Sequence, residues 1–140
     1  MDKRVSSRAI IIENNEILLM FRRKIKDGIK QEYYAIPGGG KEEGETLEEN
    51  VIRELKEEFN VDIKLNGFIG KRETEKTIEY FFSASIIKGT PTLSGEELER
   101  MTPDNYYEVR KVSLDDINNI DVKGVELILK AKNKEFEKLS

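Results

Sequence analysis

Residues 39–61 read GGKEEGETLEENVIRELKEEFNV. Thr46 followed three positions later by Glu49 forms a capping box, in which the side chains and backbone N–H groups satisfy one another at a helix start. From there Leu47, Val51, Leu55 and Phe59 recur every four residues, with Ile52 beside them. That apolar stripe predicts a helix over residues 47–59, packed on a sheet. Asn60 suits the left-handed position that glycine usually holds after a helix. Each helical residue turns the chain by about 100°, so Glu54, Glu57 and Glu58 share an arc of about 100° beside the stripe. Glu54 and Glu58 are an i,i+4 pair of like charge and repel. A helix laced with surface ion pairs would carry Lys or Arg four residues after each glutamate, yet Val61 and Asp62 follow Glu57 and Glu58. Only Arg53 and Glu57 are complementary. The pattern fits either a solvated acidic face or carboxylates gathered around a divalent cation.

Composition narrows the chemistry. The chain has 140 residues, 37% of them apolar and 37% charged, with no cysteine and no histidine. One domain over residues 1–140 is expected, large enough for a real core. Disulfides, thiolate nucleophiles, zinc–cysteine sites, imidazole bases and Ser-His-Asp triads are excluded. Any metal must be held by oxygen, which favours Mg²⁺, Mn²⁺ or Ca²⁺. The net charge of −4 argues against a general nucleic-acid binder. No run approaches the roughly 18 apolar residues of a membrane span, and no signal-peptide pattern is present. A cytoplasmic protein with neither nucleic acid nor membrane as partner is the expectation.

The rest of the chain alternates strand and turn signals. Residues 8–13 (RAIIIE) and 16–22 (EILLMFR) read as strands of a hairpin, because Asn14-Asn15 tolerates the positive φ of a tight turn. Arg22 and Arg23 close the second strand, as a solvated edge or a phosphate clamp. Residues 24–31 read as a loop around Asp27-Gly28, and residues 32–36 as a short strand stopped by Pro37. Gly38, Gly39 and Gly40 read as a flexible turn, or as a loop whose bare backbone lets a ligand approach. Strands are expected over residues 61–68, 79–87 and 106–112, with residues 76–78 extending the second. Residues 92–104 read as loop, Ser113 as the cap of a short turn, and residues 122–139 as a second helix with Val125, Ile128, Leu129 and Phe136 on its apolar side. One of each pair Tyr33/Tyr34, Phe81/Phe82 and Tyr106/Tyr107 should point inward.

The spacing Gly39, five residues, Glu45, seven residues, Arg53-Glu54-Leu55, Lys56, Glu57-Glu58, Phe59, Asn60, Val61 resembles the Nudix box, G-x5-E-x7-R-E-U-x-E-E-x-G-U, where U is aliphatic. Asn60 in place of the last glycine is the one departure, and Pro37-Gly38 matches the usual lead-in. The resemblance implies an α+β fold, the Nudix α/β/α sandwich with a mixed β-sheet between helices, in a small MutT-type form. It implies divalent-metal-dependent hydrolysis of a pyrophosphate bond in a nucleoside diphosphate linked to X, with nucleoside triphosphates, oxidised ones included, as the expected substrates. The alternatives are a nucleotide-sensing module without catalysis, or hydrolysis of ADP-ribose, nucleotide sugars or dinucleoside polyphosphates. Glu75-Lys76-Thr77 stands where some ADP-ribose pyrophosphatases carry a proline, which disfavours that class. Carried over by position, Glu54, Glu57 and Glu58 would bind Mg²⁺ or Mn²⁺, with the Gly38 carbonyl as a further ligand. Arg53 would orient the glutamates and Glu45 would be structural or a secondary contact. Gly39 and Gly40 would meet substrate, Arg22 or Arg23 would reach a phosphate, and the general base would be a glutamate of the helix or of a later loop, where Glu97 and Glu99 are the candidates. A monomer or homodimer is expected.

Overall fold

The computed structural model describes residues 2–139. In chain order its elements are β1 (Arg4–Ile10), β2 (Ile12–Glu13), β3 (Glu16–Lys26), β4 (Ile29–Ala35), β5 (Gly38–Gly40), α1 (Leu47–Phe59), β6 (Asp62–Glu73), β7 (Thr77–Lys88), α2 (Gly95–Glu99), β8 (Asn105–Ser113), a 3-10 turn (Leu114–Asn119) and α3 (Val125–Lys132). β1 and β7 pair in parallel within a mixed sheet of order β5-β1-β7-β6. β3 is the spine of a second, antiparallel sheet, with β2 and β4 along one side and β8 along the other.

Period-two alternation sorts the strand side chains to two faces. Ala9 of β1, Leu18 and Met20 of β3 and Phe82 of β7 pack with Val51, Leu55 and Phe59 of α1. Ile10, Ile17, Leu19 and Phe81 pack on the opposite face with Leu127, Ile128 and Ala131 of α3. Strands between two helices make the α+β sandwich expected from the sequence, with a middle layer of two sheets rather than one. Each such fully buried side chain contributes about 1.5–3 kcal/mol, so Val51, Leu55 and Phe59 fix the rotation of α1. No helix among the described residues is long and apolar enough to cross a membrane.

Several expectations are corrected. The first strand begins at Arg4, not at residue 8. It leaves its sheet at Ile11, so β1 pairs with β7 and only the short β2 pairs with β3 around the Asn14-Asn15 turn. The loop expected over residues 24–31 is a long hairpin: β3 and β4 pair out to Lys26 and Ile29, and Asp27 and Gly28 make the turn at φ 53° and 78°. Two successive positive φ values match the twist of the flanking strands. The glycines at 38–40 form β5, paired antiparallel with β1 through Ser7 and Gly39. Within the expected loop at 92–104 lies α2. The helix expected over 122–139 is confined to Val125–Lys132, because Gly124 starts it at φ 96° and Lys134 turns the chain at φ 56°. Beyond that turn Glu137 N–H donates to the Phe68 carbonyl at 2.8 Å, and Phe136 lies against Gly67 rather than on a helix face. Leu129 is exposed, and Leu127 takes the inward position assigned to it.

Candidate active site

α1 starts where the sequence places it. Thr46 and Glu49 exchange both capping hydrogen bonds, and Asn60 closes the helix in the left-handed conformation at φ 56°, ψ 40°. Asn50, fully buried, docks the first turn on the sheet: its Nδ2 donates to the Gly40 carbonyl at 3.1 Å, and its Oδ1 meets the Ser7 hydroxyl at 2.5 Å. Asn50 stands outside the spacing that marks the other site residues. A polar residue on a buried face was the signal available for finding it.

This docking brings one face of α1 over β5. Glu54, Glu57 and Glu58 each offer a carboxylate oxygen, and these atoms lie within 4.8 Å of one another. Burial pushes the Glu54 carboxyl above its ordinary value; Arg53 opposes the rise, while Glu57 and Glu97 add to it. Such mutual repulsion in a half-buried setting is relieved when a cation enters. The donor set is all oxygen and fits Mg²⁺ or Mn²⁺.

Arg53 organises the cluster from its outer side. Its guanidinium donates to both oxygens of Glu45 at 3.0 and 2.8 Å, to Glu57 at 3.0 Å, to Glu54 at 3.3 Å and to the Gly40 carbonyl at 3.1 Å. The fork on Glu45 is the planar bidentate pairing for which arginine is suited. It holds the Glu45 carboxyl down at about 2 from an ordinary value of 4.5.

Gly39 is required by close approach. A Cβ built there would lie 2.5 Å from the Glu54 carboxyl carbon. At Gly38, with φ 152°, a Cβ would meet the Ser7 carbonyl oxygen at 2.2 Å. These glycines therefore let helix and strand backbones close on each other around Glu54. Gly39→Ala is expected to push Glu54 out of the cluster and weaken Mn²⁺ affinity by about 10–100-fold, the range for disturbing a ligand's support. Calorimetric Mn²⁺ titration checks this, and unchanged affinity would refute the packing account.

A cavity of about 410 Å³ lies against the cluster. Gly38, Gly39, Gly40, Glu54, Glu57 and Glu58 line it, and so do Arg22 and Glu97. Ser94 ties α2 to α1: its N–H donates to the Glu58 carbonyl at 2.8 Å and its hydroxyl to the Glu57 carbonyl at 2.5 Å. Glu97 N–H then reaches Glu58 Oε2 at 3.4 Å, while Glu97 Oε2 is buried without a partner. Glu99, on the same short helix, is exposed and outside this lining. Strand alternation also separates Arg22 from Arg23. Arg22 Nη2 donates to the Tyr107 hydroxyl at 2.7 Å, its Nε is buried without a partner, and it lines the cavity. Arg23 sits over the Tyr106 ring at 4.7 Å, away from the cavity. Arg4, Arg8 and Arg100 complete a cationic rim. None of the three stands out in the sequence: Arg4 and Arg8 reach the cavity only through the long-range pairing of β1 with β5, and Arg100 through the seating of α2 on α1 by Ser94. Of the aromatic pairs, Phe81 and Phe82 are both buried, one in each core, and Tyr107 is the inward member of its pair.

A family model described as the NUDIX domain matches residues 2–127. Over 61 residues the chain is 43% identical to an ADP-ribose pyrophosphatase of Methanocaldococcus jannaschii, a match covering 44% of this chain and 34% of that protein. The match thus spans about a third of that relative's length. Among solved structures, a MutT NUDIX hydrolase from Burkholderia pseudomallei is similar at TM-score 0.72 and 20% identity, covering 94% of this chain and 98% of that one. An ADP-ribose pyrophosphatase from Streptococcus suis is similar at TM-score 0.67 and 20% identity, covering 97% of both chains. At such identities the likeness is one of fold.

Proposed function

We propose, because this chain belongs to the Nudix hydrolase family, that it hydrolyses the pyrophosphate bond of a nucleoside diphosphate linked to a second group X, with Mg²⁺ or Mn²⁺. The observation that carries the reading is the juxtaposition of three clustered carboxylates with a cavity rimmed by arginines. Carboxylates alone would repel a diphosphate, and arginines alone would bind it without activating water. Together they supply both requirements of phosphoryl chemistry, charge neutralisation and a held nucleophile.

Glu54, Glu57 and Glu58 would hold the metal ion, with the Gly38 carbonyl as a further donor. A bound Mg²⁺ or Mn²⁺ neutralises charge on phosphate oxygens and makes a nearby water more acidic. Arg53 keeps Glu54 and Glu57 in place through its fixed hydrogen bonds. Arg22, with an unpartnered buried Nε, reaches a phosphate oxygen. Glu97, whose Oε2 is buried and unpartnered, accepts the proton of the attacking water. Glu99 and Arg23 take no part in this scheme, since neither lines the cavity.

Two substrate classes compete at the finer level. The small MutT-like form favours nucleoside triphosphates. The matched relative named ADP-ribose pyrophosphatase favours a sugar conjugate, although the proline of some such enzymes is absent. The deciding experiment supplies nucleoside triphosphates, nucleotide sugars, ADP-ribose and dinucleoside polyphosphates with Mg²⁺ or Mn²⁺ and identifies the phosphorylated products. A nucleoside monophosphate plus the phosphorylated partner is the expected outcome. Tight binding with no turnover of any compound would make the protein a nucleotide-sensing module instead.

A further inference from the structure

A second cavity of about 460 Å³ opens beside the first. The two share Arg8, Ala35 and Ile36, so one groove runs past the start of the glycine strand. On its floor Arg8 Nε donates to Glu79 Oε2 at 2.5 Å, and Arg8 Nη1 donates to the Ile36 carbonyl at 2.7 Å. Arg72 Nη1 donates to the other oxygen of the same carboxylate at 3.0 Å. One half-buried glutamate thus holds two guanidinium groups in place, and each keeps N–H donors to spare. Lys24 and Lys123 stand exposed in the lining, where Asp121 is the only other carboxylate among the described residues. Arg8, Arg72, Lys24 and Lys123 set against Glu79, Asp121 and Glu126, whose Oε1 lies 3.9 Å from Arg72 Nε, leave one positive charge in surplus. Tyr34 and Phe81 add aromatic surface.

We propose that this second cavity is a subsite for an anionic substituent carried by X, remote from the cleaved diphosphate. The inference rests on the proposed function and narrows it. Hydroxyl groups of a neutral sugar accept hydrogen bonds but leave the surplus charge uncompensated, whereas a carboxylate or phosphate satisfies both. The preferred substrates are therefore conjugates whose second half is itself charged, a sugar acid or a sugar phosphate.

The test uses pairs that differ only in that charge: UDP-glucuronate against UDP-glucose, and ADP-ribose 1″-phosphate against ADP-ribose. For the intact chain kcat/KM is measured with Mg²⁺, and Kd is measured by calorimetry without metal. Two exposed ammonium contacts of ordinary strength give an expected preference of about tenfold for the charged member. Preference in the first pair alone identifies a carboxylate, and in the second alone a phosphate. In Lys24→Gln/Lys123→Gln the ratio is expected to fall below about twofold with Tm unchanged. Ratios near one in both pairs, no detectable binding of either charged compound, or a ratio that survives the double substitution would each overturn the proposal. Because the calorimetric ratio needs no turnover, an absence of hydrolysis counts against the proposed function and leaves the charge test with its own answer.

Discussion

Glu57→Gln/Glu58→Gln is expected to lower kcat on the best substrate by about a thousandfold or more, with the far-UV circular dichroism and Tm preserved. Glutamine keeps the size of each side chain and removes its charge. Glu58 is 8% exposed and stands beside the Glu97 N–H, a donor that an amide oxygen can still satisfy. Glu57 is on the outer side, paired with Arg53 at 3.0 Å. The fold therefore loses one partly exposed ion pair and is relieved of the repulsion among clustered carboxylates. Metal affinity is expected to fall in parallel with kcat, because neutral amide oxygens are poorer donors to a hard cation. Activity at the wild-type level would remove the metal assignment altogether.

Arg53→Ala should have the next largest effect, and it should act on two observables. Removing the guanidinium takes the bidentate partner from Glu45 and the tether from Glu54 and Glu57. Breaking a half-buried network of this kind is expected to cost about 2 kcal/mol, less than for a fully buried pair because its outer members are exposed. Loss of support to the cluster should lower kcat/KM by about 10–100-fold. The pH dependence gives an independent check. Glu45 titrates at about 2 in the folded protein against an ordinary 4.5, chiefly because of its hydrogen bonds to Arg53. A depressed folded value stabilises the fold above pH 4.5, and that contribution drains away as the pH falls from about 4.5 to about 2. Denaturant midpoints of the wild type should fall across that window, and those of Arg53→Ala should fall less steeply. Parallel curves would show that Glu45 is not held down by Arg53.

The chemistry-bearing helix was legible because its determinants are local. Capping box, apolar spacing and left-handed terminus each act within a few residues, so α1 begins and ends where the sequence places it. The sandwich with its mixed sheet is what the Nudix resemblance implies, and strand alternation accounts only for which side chains face each core. What escaped was information carried by remote partners. β5 has no side chains to alternate, and only its pairing with β1 makes the glycines a strand. Arg4 and Arg8 reach the cavity through that same pairing. The separation of Arg22 from Arg23 needs only strand period, but residues 24–31 read as a loop in the sequence, which hides how far β3 extends. The second helix is shorter than its apolar pattern because Phe136 continues that pattern toward a partner, Gly67, that lies on β6.

That tail bears on self-association. β6 is the outer strand of the mixed sheet, and an outer strand exposes backbone groups that can recruit a strand from another molecule. Glu137 N–H occupies the Phe68 carbonyl, Phe136 covers Gly67, and β6 shifts register against β7 at three places along its length. A guest strand meets a plugged and kinked edge, and it must first peel the C-terminal segment from its seat. Truncation before Phe136 would therefore expose an aggregation-prone border along β6.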